Sequence, residues 1–176
     1  MKPMRDKKVV MIIASQNFRD EELLEPKAII ESVGNDVTVA SSSLSQSVGM
    51  LGAKVKPDIT IKDINVNDYD AIIFIGGSGA SEFWQDATAH KIVHDTIDKG
   101  KILGAICIAP VILAKAGVLK GKKATVWQSE KGRLTAEGST YTGAPVEIDG
   151  KIITANGPTS ARAFGNALLR ALSDEE

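Results

Sequence analysis

The sequence predicts an α/β fold, a doubly wound sandwich with a mostly parallel central sheet. Two patterns carry that expectation. Short β-branched runs, apolar on both faces, alternate with longer amphipathic runs, as strands alternate with the helices that cover a parallel sheet. Near the end, Val146-Glu147-Ile148 and Lys151-Ile152-Ile153-Thr154 flank Asp149-Gly150, a two-residue hairpin that adds one antiparallel edge.

Val9-Val10-Met11-Ile12-Ile13-Ala14 reads as a central strand. Asn17, Asp20 and Glu21 open a helix reaching about Val33, with Leu23, Leu24, Ile29 and Ile30 as its buried stripe. Pro26 is expected near the start of that helix, because further inside it costs about 3 kcal/mol. Gly34-Asn35 ends the helix, and Asp36-Val37-Thr38-Val39-Ala40 is the next strand. From Ser41 to Asn67 regularity falls, and Ala53-Lys54-Val55 with Ile59-Thr60-Ile61 predicts a small hairpin at the domain edge. Ala71-Ile72-Ile73-Phe74-Ile75 is a strand that ends in Gly76-Gly77-Ser78-Gly79. A helix from about Asp86 to Lys99 follows and is closed by Gly100. Lys101-Ile102-Leu103-Gly104-Ala105-Ile106 is another buried strand, running into Cys107 and a helix through Ala116. The last helix, about Ser160 to Leu172, places Ala163, Phe164, Ala167, Leu168 and Ala171 on one face. Asp174-Glu175-Glu176 reads as a solvated tail, and with no repeat or linker the 176 residues read as one domain, 1–176.

Composition excludes several classes of function. Lys+Arg 21 against Asp+Glu 22 leaves a formal net charge of -1, so no basic field exists to hold nucleic acid. The apolar runs are far shorter than the roughly 18 residues needed to span a bilayer, and no membrane partner is expected. Lys7 and Lys8 precede the first run, yet it lacks a signal-peptide core and leads into polar Ser15-Gln16-Asn17. The expected location is the cytoplasm. A single cysteine, Cys107, rules out an intrachain disulfide and any multi-cysteine metal cluster.

That cysteine lies in Gly104-Ala105-Ile106-Cys107-Ile108-Ala109-Pro110, the pattern of a nucleophile elbow. The crowded strand-to-helix turn needs small residues two before and two after, here Ala105 and Ala109. Pro110 suits the first helical turn, where its missing amide hydrogen would have no partner. A thiol at a helix N-terminus is expected to have a depressed pKa and to be reactive. The bland alternative is a small buried hydrophobe.

With these residues in place, the chain resembles the ThiJ/PfpI superfamily over essentially its whole length. The matching pieces are Phe18-Arg19-Asp20-Glu21-Glu22-Leu23, Gly76-Gly77, Ala105-Ile106-Cys107 with Pro110, Ala116-Gly117-Val118-Leu119-Lys120-Gly121, Asp149-Gly150 and Ala155-Asn156-Gly157-Pro158. The resemblance implies a flavodoxin-like sandwich and a homodimer or larger homo-oligomer. It also implies that Glu22 hydrogen-bonds the Cys107 sulfur, and that the backbone amides of Gly77 and Ile108 bind an oxyanion. A carboxyl beside a thiolate is expected to stay protonated, since two adjacent negative charges are unfavourable and burial adds to the penalty.

The sequence also departs from the family. Members described as peptidases carry histidine directly after the cysteine, where this chain has Ile108; others place one about twenty residues later, where it has Trp127. Only His90 and His94 remain, on a helix expected to run away from Cys107. Peptide hydrolysis must protonate a poor amine leaving group, so a peptidase of the PfpI type is disfavoured. The expected function is cysteine-dependent reactive-carbonyl chemistry: hydration of α-oxoaldehydes or deglycation, with Cys107 as nucleophile and Glu22 as proton partner. Its substrates would be small carbonyl compounds or glycated proteins, and no cofactor is expected. The alternative is a redox-sensing stress-response protein whose Cys107 is oxidised to sulfinic acid. His90 and His94 lack a third ligand at motif spacing, so no metal site is expected. Gly76-Gly77-Ser78-Gly79 is not a full dinucleotide fingerprint. Trp84, Trp127 and Phe83 remain open between pocket wall, subunit contact and core.

Overall fold

The apolar runs pair side by side in one sheet. The computed structural model describes residues 6–174. Its elements are β1 (Lys8–Ile12), β2 (Gln16–Phe18), α1 (Asp20–Glu31), β3 (Asp36–Ser41), β4 (Ser47–Gly49), β5 (Lys54–Val55), β6 (Ile59–Thr60) and β7 (Ala71–Phe74). They continue with α2 (Ala87–Asp98), β8 (Ile102–Ile106), α3 (Pro110–Lys115), β9 (Lys123–Ala124), α4 (Lys131–Ala136), β10 (Thr140–Tyr141), β11 (Val146–Asp149), β12 (Ile152–Ala155) and α5 (Ala161–Ser173). The central sheet runs β11-β12-β8-β7-β1-β3-β6, and every neighbouring pair is parallel except β11 with β12. Its five inner parallel strands have the flavodoxin-like order 2-1-3-4-5, so the chain changes direction of winding between β1 and β7.

Alternate side chains of each strand enter two separate cores. Val10, Ile12, Ile72, Phe74, Leu103 and Ala105 pack with α2 and α3 on one face. Val9, Met11, Ile73, Ile102 and Ile106 pack with α1 and α5 on the other. Both faces of β1, β7 and β8 are therefore dry, which is why their sequences are apolar without alternation. Gly104 is required by this packing: a methyl there would fall 2.8 Å from Ile73 Cδ1 and 3.2 Å from Phe164 Cζ.

Several local expectations are corrected. The small hairpin pairs β4 with β5, whereas β6 joins the central sheet beside β3. Asp149 pairs with Ile152, so the turn residues of the last hairpin are Gly150 and Lys151, one residue later than expected. Gly150 at φ 62° opens that turn, the first central position where glycine is favoured in a type II′ turn. Asn17 belongs to β2, at φ 63°, and α1 begins only at Asp20. Leu24 is exposed, and the buried stripe of α1 is Glu22, Leu23, Pro26 and Ile30. Pro26 lies inside the helix rather than near its start. It seats against α5 at Gly165, where a methyl would fall 2.9 Å from Pro26 Cα. Ala163 is exposed and Ala171 half-buried; Gly165 and Leu172 take their places on the inner face of α5. Asp174 is exposed, and Glu175 and Glu176 lie outside the described residues. No described helix is long and apolar enough to cross a membrane.

Candidate active site

The carboxyl ends of β1, β7 and β8 meet at the change in winding, and each supplies one part of a site. Cys107 follows β8 directly and takes φ 65°, the left-handed conformation of a nucleophile elbow. The turn is held from both sides: the Cys107 amide donates to the Ala155 carbonyl at 2.9 Å, and its carbonyl accepts from the Trp127 amide at 2.8 Å. Pro110 is the first residue of α3, as expected. The loop after β7 passes so close to the elbow that only glycine fits. A methyl on Gly76 would fall 2.5 Å from Cys107 Cβ, Glu22 Oε1 and the Ile106 carbonyl oxygen. Gly77, at φ 101°, is crowded by the backbone of Asn17, Phe18 and Arg19.

Glu22 sits in the first turn of α1 and is fully buried. Burial pushes its pKa up to about 8. The Cys107 thiol and the Gly76 amide oppose that rise, yet neither completes a hydrogen bond of ordinary geometry to a carboxylate oxygen. The carboxyl therefore keeps its proton at neutral pH and has one to give.

The thiol itself departs from expectation. Burial, with the neighbouring Glu22 charge next, pushes Cys107 up to about 12, against the opposing pull of the Gly77 and Ile108 amides. A six-residue α3 beginning three residues beyond the sulfur does not depress the pKa of a thiol that is only 8% exposed. Each of Cys107 and Glu22 shifts the other's pKa. The carboxyl is raised to about 8 and the thiol to about 12, so burial resists charge on both. The amides of Gly77 and Ile108 pull the thiol the other way, toward the thiolate.

Cys107 opens onto a pocket of about 220 Å³ lined by Arg19, Met50, Gly77, Ile108, Trp127 and Pro158, among others. The sequence pattern assigns Arg19, Asp20 and Met50 no role in a site, and the structure places all three around this pocket. Arg19 immediately precedes α1, and its guanidinium binds Glu21 at 2.9 and 3.0 Å. Asp20 reaches across thirty residues: its Oδ1 accepts from the Leu51 amide at 2.9 Å and its Oδ2 from the Ala53 amide at 2.8 Å. This clamp holds the β4–β5 turn, and with it Met50, over the pocket. Trp127 is a pocket wall and Phe83 is core, while the Trp84 indole donates to the Ile108 carbonyl at 3.2 Å. His90 and His94 turn their Nε2 atoms to the carbonyls of Trp84 and Ala116, at 2.8 and 2.6 Å. Neither histidine lines the Cys107 pocket. Among the described residues no group of three His, Cys, Asp or Glu side chains is gathered as a metal cage.

An elbow cysteine, a first-helix glutamate and a glycine turn at the same switch point coincide with a family match. The model of the DJ-1/PfpI family matches residues 7–171. The chain belongs to this family. A relative from Methanocaldococcus jannaschii, Uncharacterized protein MJ0967, is 44% identical over 172 residues, covering 96% of this chain and 84% of its own. Deglycase PH1704 of Pyrococcus horikoshii is 28% identical over 163 residues, covering 93% and 98%. Glutathione-independent glyoxalase DJR-1.2 of Caenorhabditis elegans is 25% identical over 170 residues, covering 97% and 91%. Among solved structures, a ThiJ/PfpI domain protein from Brachyspira murdochii superposes with a TM-score of 0.95 at 29% identity, covering 98% of this chain and 99% of that one.

Proposed function

We propose that this chain is a cysteine-dependent enzyme of reactive-carbonyl chemistry, hydrating α-oxoaldehydes to 2-hydroxy acids or removing their adducts from amines and thiols. The supporting observation is the buried, protonated Glu22 carboxyl against the Cys107 thiol at the floor of a small pocket. Deglycase and glyoxalase relatives point to the same class of reaction.

In this reading the pair reacts as a monoanion with the charge drawn onto sulfur by the Gly77 and Ile108 amides and the proton held by Glu22. The sulfur adds to the aldehyde carbon, a C–S bond forms, and the carbonyl electron pair moves to oxygen. The Gly77 and Ile108 amides hold that oxyanion until it takes the proton from Glu22. The Glu22 carboxylate then removes the hydrogen of the former aldehyde carbon as a proton. The electron pair passes through an enediol, and the proton returns at the neighbouring carbon. Water cleaves the resulting thioester, releasing the hydroxy acid and restoring the thiol. No step of this oxoaldehyde route needs an external oxidant or a protonated amine leaving group, so none needs the missing histidine; release of an amine from an adduct would draw on the Glu22 proton.

Turnover of methylglyoxal tests the reading. It is expected to vanish in Cys107→Ala and to fall by about a hundredfold or more in Glu22→Ala. Equal rates for wild type and Cys107→Ala, on oxoaldehydes and glycated peptides alike, would overturn it.

A further inference from the structure

The Cys107 pocket does not end at Trp127. A second cleft of about 580 Å³ shares Arg19, Trp127 and Pro158 with it and continues to Glu21, Glu25 and Arg162. A three-carbon oxoaldehyde fills only part of the inner pocket, so the outer cleft is surplus to the smallest substrate. Its charges are unequally committed. Arg19 and Glu21 neutralise each other through two hydrogen bonds. Arg162, in the first turn of α5, makes no ion pair among the described residues, with Glu25 or with any other carboxylate. A guanidinium offers a planar fork of donors matched to a carboxylate. An uncommitted one lining a cleft that shares three residues with the Cys107 pocket is placed to grip a substrate's tail. Glu25 lines the same cleft and has no ion pair among the described residues, which favours a tail with a single negative charge over a dianionic phosphate.

We propose that Arg162 is a specificity-determining residue, binding a carboxylate at the far end of a carbonyl substrate whose reacting carbon lies at Cys107. The proposal deepens the reactive-carbonyl reading and shares its nucleophile, but its test needs no turnover. Cys107 is the sole cysteine, so alkylation measured by intact mass reports reagent approach from the pocket. The probes are iodoacetyl-glycine, iodoacetyl-β-alanine and iodoacetyl-γ-aminobutyrate, each compared with its own neutral amide. The carboxylate-to-amide rate ratio cancels any change in the thiolate fraction. For at least one linker the wild-type ratio is expected to exceed one by about tenfold, the scale of a charge-assisted contact in an open cleft. Arg162→Gln should bring that ratio to one or below, while Arg162→Lys should retain part of the preference. A wild-type ratio at or below one for every linker, or a preference unchanged in Arg162→Gln, would overturn the proposal. A carboxylate preference in a protein that turns over no carbonyl substrate would sink the catalytic reading and leave the cleft assignment standing.

Discussion

Cys107 adopts φ 65° although it carries a β-carbon, a conformation that costs an L-residue roughly 1–2 kcal/mol. The surrounding hydrogen bonds hold it there, so the strain belongs to the site and not to the thiol. Cys107→Gly is therefore expected to be more stable than Cys107→Ala by about 1 kcal/mol, read from urea midpoints of two proteins that both lack the thiol. Equal midpoints would argue that the turn is relaxed. The approach of Gly76 is the tighter constraint. Gly76→Ala drives a methyl into Glu22, the elbow and a backbone carbonyl together. It is expected to cost about 2 kcal/mol or more of stability and to abolish thiol-dependent activity, in contrast to a methyl at Gly132, which meets open space.

At the scale of elements, the site depends on a loop that a distant carboxylate holds in place. Asp20, at the first residue of α1, satisfies the amides of Leu51 and Ala53 and is packed tightly against Gly49. Asp20→Ala leaves two amides without partners and is expected to cost about 2 kcal/mol. Because Met50 rides on that turn, KM for a carbonyl substrate should rise more than kcat falls; an unchanged KM would remove Met50 from the binding surface. Local pattern reveals some of these features and hides others. Cys107 was legible because a sharp strand-to-helix corner demands small flanking residues and tolerates proline, and Ala105, Ala109 and Pro110 supply both. Glu22 was legible only through resemblance, since one carboxylate among Glu21 and Glu25 has no local signature of burial. The Asp20 clamp spans thirty residues, and Pro26 is accommodated by Gly165 from the other end of the chain. Neither relation leaves a trace in a window of a dozen residues.

The whole molecule stores its titratable pair at the meeting point of three strand ends, where both layers exclude water. The alternation of apolar strands with helices foretold the sheet, and a parallel sheet buried on both faces leaves ligands only the crevice at its carboxyl edge. Burying a carboxyl there couples global stability to pH. Glu22 ionises near 4.5 when unfolded and near 8 when folded, so the folded chain retains a proton that the unfolded chain has released. The stabilisation is complete below 4.5 and is lost as pH rises to about 8, with Cys107 adding a second loss between 9 and about 12. Glu22→Gln is expected to flatten the first interval. It should match wild type near about pH 4 and be more stable by a few kcal/mol near about pH 9. Parallel stability curves for the two proteins would place the Glu22 proton in solvent.

The pairing of thiol and carboxyl is tested most directly by the pH dependence of Cys107 alkylation by iodoacetamide, in wild type and in Glu22→Gln. A shared proton requires a rise in wild-type reactivity near 8 that disappears when the carboxyl is replaced by an amide. Superimposable profiles, or a wild-type thiol that stays inert until about 12, would show that the two groups do not act together.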